Sequence, residues 1–170
     1  MRLAETHYNN SETGCCARLD VEKWDDQEWT WEDKPFLRDH IRAFLHVPLN
    51  FGSVISRDHE AVEEAEAYAE DPLWLCDELS PWGSDIYVAV DRPVPGARMT
   101  TLSGTFLSKV FEGPYRDVGK WLTTMNAHVE SKGHAPEKTY FFYATCPKCS
   151  KKLGKNQVGG DLPRRRKSRI

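Results

Sequence analysis

The sequence predicts an α+β fold in which two β-α-β-β repeats form a curved antiparallel sheet with helices on one side. Two segments, 58–71 and 114–133, have apolar residues at helical spacing, and each lies between runs rich in β-branched and aromatic residues. The order strand–helix–strand–strand therefore occurs twice, over about 46–93 and 99–158. At 170 residues the chain is long enough for one domain of this kind.

The chain is predicted to begin with a tail and a β-hairpin. Residues 1–14 are polar and without pattern, so we expect a disordered tail, followed by a single domain over 15–156. The segments 17–24 and 28–36 alternate like strands, and the residues between them (25–27, Asp-Asp-Gln) favour a turn. A hairpin is therefore expected before the first repeat.

The first repeat is predicted to start with a strand over 46–57. Its helix, over 58–71, has Asp58 as the expected N-cap. The apolar face of this helix is formed by Ala61, Val62, Ala65 and Tyr68. Two strands at 73–76 and 85–90, joined by residues typical of turns, complete the repeat.

The second repeat is predicted to contain a strand over 99–113, a helix over 114–133 and a strand over 138–146. Pro114 suits the start of the helix and Gly133 its end. After residue 156 the chain has two glycines, a proline and five cationic residues, a composition that does not suit a central strand. Residues 157–170 are therefore expected to form a divergent basic tail, which leaves the sheet with an incomplete last strand.

Several stretches resemble the GyrI-like small-molecule-binding superfamily. They are GTFLSKVFEGPYRDVGKWL, in which residues 112–115 form a Glu-Gly-Pro-Tyr turn before the helix, TYFFYATCPKC, and SPWGSDIYVAV in the first repeat. The likeness covers about residues 48–156. It is strongest to a bacterial subgroup labelled hydrolases, through CC, LHVPLNFG, WGSDIYVAV, LSGTFLSKVFEGPY and CPKC in this order.

The resemblance implies a cleft between the repeats, lined by aromatic residues and holding buried carboxylates. Members of the superfamily bind bulky, flat or cationic molecules; some sense drugs, some act as gyrase-inhibitor-like protective proteins, and some hydrolyse reactive cyclopropane-bearing toxins. The expected function is binding of a small, flat apolar or cationic organic molecule, and hydrolysis of a detoxification type is the catalytic version of this function. A non-catalytic sensor module is the alternative.

Hydrolysis needs a base that activates water, and a desolvated carboxylate serves this role. Glu78 and Glu112 are the preferred pair, because both lie near the expected cleft, and Tyr115 or Tyr143 is expected to stabilise the departing oxygen. The expected ligand-binding residues are mainly aromatic: Trp74, Trp82, Asp85, Tyr87, Phe111, Phe142, Tyr143 and His46. Each also has an ordinary interpretation, since acidic residues at strand ends are commonly solvated and aromatic residues on strands commonly belong to the core.

Cys146 and Cys149 have the spacing of a zinc knuckle. One Cys-x-x-Cys is half of a four-cysteine site, and the other clustered thiols, Cys15 and Cys16, would point to opposite faces of a strand. We therefore expect structural turn thiols and no cofactor. Zinc bound together with Cys15 or Cys16 is the alternative, and redox chemistry is the third interpretation.

The composition argues against a general attraction to nucleic acid. The chain has 23 basic and 26 acidic residues, for a formal net charge of −3. No window approaches the roughly 20 apolar residues of a membrane span, and the first residues lack the apolar stretch of a signal peptide. The sequence therefore predicts a cytoplasmic protein whose partner is a small organic molecule, with no nucleic acid and no membrane.

Overall fold

The structure is a computed structural model and describes residues 20–70, 73–143 and 156–164. It confirms the predicted α+β class. The helices are α1 (Val21–Trp24), α2 (Phe51–Glu64) and α3 (Val118–Ser131), and a 3-10 turn (Tyr115–Asp117) precedes α3. The strands are β1 (Gln27–Phe44), β2 (Val47–Pro48), β3 (Trp74–Ser80), β4 (Gly83–Ala89), β5 (Met99–Gly113), β6 (Tyr140–Tyr143) and β7 (Asn156–Arg164). Every strand pairing described below is antiparallel.

The chain divides into two compact units. The central unit is Thr30–Gly104, and the terminal unit combines the residues up to Trp29 with those from Thr105 onward. Each unit is described by itself. The two-repeat arrangement, the curvature of the sheet and the predicted domain boundaries stay predictions.

In the central unit the strand order is β2-β1-β4-β3. β1 pairs with β4 from Phe36 opposite Ala89 to Arg42 opposite Gly83. Because side chains alternate along a strand, Leu37 lies on the same face of β1 as every second residue after it. This face is covered by α2, since Leu37 belongs to a buried core cluster that includes Val62 of α2.

The predicted strand over 46–57 is wrong for most of its length. Only Val47–Pro48 is a strand, and α2 begins at Phe51. Val54 and Val62 are buried on one face of α2. Packing of this face outweighs the low helix propensity of Gly52 and of the β-branched residues nearby, because most helical stability in a protein comes from tertiary burial.

The N-cap prediction for Asp58 is wrong for the same reason. Asp58 lies inside α2, and the residue at the N-cap position is Asn50. Asn50 makes no side-chain cap hydrogen bond. Its side-chain oxygen instead accepts a hydrogen bond from the backbone N–H of Arg42 at 2.7 Å, which ties the start of α2 to the end of β1.

The first arm of the predicted N-terminal hairpin is also wrong over the residues that the structure describes. Val21–Trp24 is one helical turn, capped by Asp20, whose side chain accepts a hydrogen bond from the backbone N–H of Lys23 at 3.2 Å. Trp24 is buried and its ring centroid lies 4.9 Å from that of Trp29. Residues 17–19 lie outside the described part. The turn that was predicted before β1 is confirmed at residues 25–26.

In the terminal unit the strand order is β6-β7-β5. Helix α3 packs on these strands through two clusters, in which Met125 contacts Leu107 and Trp121 contacts Phe141. Gly133 follows the helix with φ of 80°, a left-handed conformation that glycine adopts without strain. The strand predicted over 99–113 and the helix predicted over 114–133 are confirmed, and the next predicted strand is confirmed at Tyr140–Tyr143.

The expectation that no central strand follows residue 156 is wrong. β7 pairs with β5 over its whole length and with β6 from Val158 to Asp161. Gly159 and Gly160 pair on both sides as ordinary ladder residues. Pro163 lies beyond the part of β7 that pairs with β6, so its missing N–H removes no hydrogen bond on that side. Residues 165–170 lie outside the described part.

Gly83 occupies a position in β4 where β1 comes very close. A Cβ atom there would lie 2.7 Å from the backbone oxygen of Ile41 and 2.6 Å from Nε2 of His40. The backbone oxygen cannot retreat without disturbing the β1–β4 ladder. Gly83→Ala is therefore expected to lower the free energy of unfolding by about 1–3 kcal/mol, as overpacking does.

Urea denaturation measures this effect, and Gly52→Ala is the matched control. A Cβ atom at Gly52 meets nothing within 4 Å, so alanine there is expected to maintain or increase stability, as it does in a helix interior. Equal unfolding midpoints for Gly83→Ala and the wild type would contradict the close approach.

Candidate active site

Two aspartates meet where α2 packs on β1. Asp39 lies on the face of β1 that also carries the buried Leu37 and Ile41. Asp58 lies on α2 between the buried Val54 and Val62, four residues from each. The carboxyl groups of Asp39 and Asp58 are hydrogen-bonded to each other. The Asp58 side chain is 4% exposed, whereas that of Asp39 is 27% exposed, so the pair is reached from the Asp39 side.

Asp39 is held as a carboxylate. Nη2 of Arg57 forms an ion pair with its Oδ2, and the backbone N–H of His40 donates to its Oδ1 at 2.7 Å. Partial burial acts to raise the pKa of Asp39, but the hydrogen bonds from Arg57 and from the His40 N–H outweigh it and lower the pKa below its usual value. Asp39 is therefore ionised at neutral pH.

Asp58 has the opposite character. Burial, followed by the hydrogen bond with the Asp39 carboxylate and by its negative charge, raises the pKa of Asp58 to about 7. Arg57 opposes this rise only weakly, because its Nε lies 3.9 Å from Oδ1 of Asp58. Among the described residues no hydrogen-bond donor reaches the buried Oδ2 of Asp58, which suits a carboxyl group that carries its own proton.

The pair borders a cavity of about 330 Å³ in the central unit. One wall is the segment that follows β4, where Gly96 has φ of 76° and turns the chain. The volume is at the small end of the range for ligand pockets. The cavity is lined by Leu37, Arg38, Asp39, Arg57, Asp58, Ala61, Pro95, Gly96, Ala97 and Arg98. Arg57, Arg98 and the two aspartates make it a polar site, whereas the guanidinium of Arg38 binds Asp85 on the other face of β1. This lining includes no aromatic residue.

A second charged cluster lies on the opposite face of β1. Asp85 accepts a hydrogen bond from Nη2 of Arg38 at 2.5 Å, and its other oxygen lies 2.8 Å from Nδ1 of His40. Partial burial acts to raise the pKa of Asp85, but the hydrogen bonds with His40 and Arg38 outweigh it and lower the pKa. An aspartate that orients a histidine supplies two of the three members of a nucleophilic triad. Gly83, however, packs against Nε2 of His40, so no hydroxyl or thiol occupies the third place.

A family model described as bacterial hydrolase matches residues 6–160, a range that includes both aspartates of the pair. The chain belongs to this bacterial hydrolase family. No curated protein matches it. In the part of the chain that the structure describes, no helix combines the length and the apolarity that crossing a bilayer requires.

Several of the predicted ligand residues of this bacterial hydrolase make contacts within the protein, and their ligand-binding roles stay predictions. Trp74 packs against the core of the central unit. Tyr87 is buried, with the guanidinium carbon of Arg38 5.7 Å from its ring centroid. In the terminal unit Phe111 stacks on Trp121 at 6.0 Å between centroids, and Phe142 lies 6.4 Å from Trp24. Of the predicted ligand residues, Asp85 and Tyr87 are brought together by their shared contact with Arg38.

Two of the predicted ligand residues are exposed. Trp82 lies in the turn between β3 and β4, with 60% of its surface exposed and its ring 5.9 Å from that of Phe44. His46 was interpreted as a strand residue but lies in the turn between β1 and β2, with φ of 67°. Its backbone N–H donates to the carbonyl of Pro81 at 2.9 Å.

The three predicted catalytic residues lie in separate elements. Glu112 is exposed on β5, opposite Gln157 of β7. Glu78 lies on β3, Tyr115 starts the 3-10 turn and Tyr143 ends β6; for these three residues the structure describes the backbone alone. Their roles stay predictions.

The cysteine prediction lies outside the described residues, since Cys15, Cys16, Cys146 and Cys149 are all in segments that the structure does not describe. Within 20–70, 73–143 and 156–164 no group of three or more His, Cys, Asp and Glu side chains is arranged to hold a metal ion. The zinc alternative therefore stays a prediction.

The sequence contains a signal for the Asp39–Asp58 pair. The strand predicted over 46–57 obscures it, because that prediction places Val54 outside the helix that carries Asp58. Asp39 sits in the alternating series Leu37, Asp39, Ile41, and Asp58 sits in the helical series Val54, Asp58, Val62. An acidic residue inside an apolar stripe is unusual, because burial of a carboxylate is costly unless it is paired. Two such residues on elements that pack together indicate a shared site.

Proposed function

We propose that this protein hydrolyses a small polar organic molecule in the cavity beside Asp39 and Asp58. The observation that carries the proposal is the contrast within the pair. One carboxyl group is held ionised, and the other has a pKa of about 7. Two carboxyl groups whose environments separate their pKa values in this way are a common acid–base arrangement. Membership in the bacterial hydrolase family supports hydrolysis as the reaction.

In the proposed reaction Asp39 accepts a proton from a water molecule, and the water oxygen attacks an electrophilic carbon of the substrate. The bond from that carbon to its leaving atom breaks, and the leaving atom takes the proton of Asp58. Proton transfer from Asp39 to Asp58 through their hydrogen bond then restores the starting state. Arg57 keeps Asp39 ionised between turnovers through its ion pair.

The cavity also supports a substrate class. Its lining supplies arginines and backbone groups rather than aromatic rings, so it suits a small molecule with polar or anionic groups better than a large flat one. The likeness of residues 48–156 to the GyrI-like superfamily supports placing the bacterial hydrolase family in that superfamily. Detoxification therefore remains the proposed role. A small organic molecule remains the proposed partner.

Hydrolysis is tested by incubating the protein with a panel of small esters, amides, lactones and strained-ring electrophiles in H₂¹⁸O. Mass spectrometry then reports products that have gained ¹⁸O. We expect turnover of at least one compound, lost in Asp58→Asn and Asp39→Asn and retained in Glu112→Gln. Glu112 is exposed, so the burial that acts on Asp58 does not act on it. Loss of turnover in Glu112→Gln or Glu78→Gln, with the aspartate variants active, would instead support the glutamates that were first expected.

A further inference from the structure

A group of large apolar side chains is exposed at one end of the central unit. Between 43% and 66% of the surface of each is accessible. We call this group the apolar tip; it consists of Phe44, Leu45, Val47, Leu49, Phe51 and Trp82. A contiguous exposed apolar patch of this kind marks an interaction site more often than chance exposure does.

The apolar tip is one surface because its segments are bonded to each other. Phe44 is the pairing partner of Val47 across the β1–β2 hairpin. The N–H of Ala43 donates to the carbonyl of Trp82 at 2.8 Å, and the rings of Phe44 and Trp82 are 5.9 Å apart. The turn between β3 and β4 therefore lies against the β1–β2 hairpin.

The hairpin turn between β1 and β2 holds both of its residues in the left-handed region. Leu45 and His46 have φ of 49° and 67°. A two-residue hairpin turn with left-handed residues usually contains Asn, Asp or Gly, because bulkier side chains are disfavoured there. Leucine in the left-handed region costs conformational free energy. A turn that only connected β1 and β2 would not require a leucine at this position.

Charge indicates what the apolar tip meets. From residue 40 to residue 57, and again from 79 to 84, the sequence contains no aspartate or glutamate, although the whole chain has an excess of acidic residues. Arg42 and His46 lie within this stretch and are exposed. Within these two segments the apolar surface has an exposed arginine and no carboxylate, which makes it complementary to an anionic lipid surface. Tryptophan and phenylalanine suit the interface between headgroups and acyl chains.

A second copy of the chain fits the apolar tip less well. A twofold contact would place the tip against itself, and Arg42 would find no aspartate or glutamate within segments 40–57 and 79–84 of the second copy. Addition of a strand at this edge is also disfavoured, because β2 is two residues long and ends in Pro48.

We propose that the apolar tip inserts into the interfacial region of an anionic lipid bilayer and holds the protein at a membrane surface. This inference is independent of the hydrolytic site. It replaces the expectation, drawn from sequence, that the protein has no membrane contact. It requires no membrane-spanning helix, since interfacial binding uses exposed apolar groups and nearby positive charge.

The test is co-sedimentation of the full chain with sucrose-loaded vesicles, either phosphatidylglycerol mixed with phosphatidylcholine or phosphatidylcholine alone. We expect binding to the anionic vesicles, and weaker binding to the neutral ones. The double variant Leu45→Asn with Leu49→Asn is expected to weaken binding by about tenfold or more, because both side chains leave the apolar phase. Asparagine tolerates the left-handed region, so this variant keeps the turn.

Val21→Asn is the matched control, because Val21 is an exposed apolar residue of the terminal unit. It is expected to bind vesicles like the wild type. Failure of the wild type to sediment with anionic vesicles would overturn the proposal. Sedimentation-velocity data showing a wild-type dimer that the double variant abolishes, without vesicle binding, would assign the tip to self-association instead. Equal binding to both vesicle types would overturn its anionic preference.

Discussion

Asp58→Asn is expected to reduce kcat/KM for the hydrolytic reaction by about 10²–10⁴-fold, the usual contribution of a general acid or base. The variant keeps the shape of the side chain but removes the proton that Asp58 exchanges with the substrate and with Asp39. Because Asp58 lies on α2 with its neighbours Val54 and Val62 in the core, the backbone around the site is expected to stay in place. Steady-state kinetics on the compound found to turn over, with circular dichroism as a check of folding, measure the loss.

Glu60→Gln is the control for this experiment. Glu60 lies on the same helix and is exposed, so the same chemical change is made two residues away from the cavity-lining Asp58. Its activity is expected to equal that of the wild type. An Asp58→Asn variant that is folded and as active as Glu60→Gln would show that Asp58 does not transfer the proton.

The stability of the wild type is expected to fall by about 2–3 kcal/mol between pH 5 and pH 8 through Asp58 alone. The pKa of Asp58 is about 7 in the folded protein and 3.8 as the reference value of an unperturbed group. Its raised pKa contributes stability that is fully present below the lower value and is lost as the pH rises through the higher one. In this window the unfolded chain has already released the proton that the folded protein still holds.

Asp39 does not cancel this dependence. Its pKa is lowered, so the stability that it contributes is already present above its reference value and is lost only in more acidic solution. Urea denaturation of the wild type and of Asp58→Asn at several pH values between 5 and 8 isolates the effect. We expect the free energy of unfolding of Asp58→Asn to increase relative to that of the wild type as the pH rises. A constant difference across this range would contradict the raised pKa.

Elements with a strong local pattern were predictable from the sequence. The strand over 99–113 and the helix over 114–133 were predicted correctly, because apolar spacing and a terminating Gly133 act within each segment. The segment 46–57 has apolar and β-branched residues that suit a strand, but packing of Val54 and Val62 against β1 makes it helical. β7 was missed because pairing on both sides stabilises a segment whose own residues favour no strand.

The candidate site was less predictable than the fold, because it depends on contacts between distant segments. Asp58 becomes a buried group only when α2 begins at Phe51, and its pKa rises only because β1 brings Asp39 beside it. The aromatic residues that suggested a binding cage, such as Trp74 and Phe111, have strand patterns that core packing explains equally well. Sequence patterns identify residue types suited to chemistry, whereas burial and pairing decide which of them acquire unusual acidity.

The most direct measurement is a ¹³C NMR titration of the aspartate carboxyl groups in protein labelled at those carbons, recorded from pH 3 to pH 9 for the wild type and for Asp58→Asn. One aspartate resonance is expected to titrate with a pKa of about 7, and it is expected to be absent from the spectrum of the variant. Wild-type spectra in which every aspartate titrates close to the reference value of 3.8 would contradict the proposed acid–base pair.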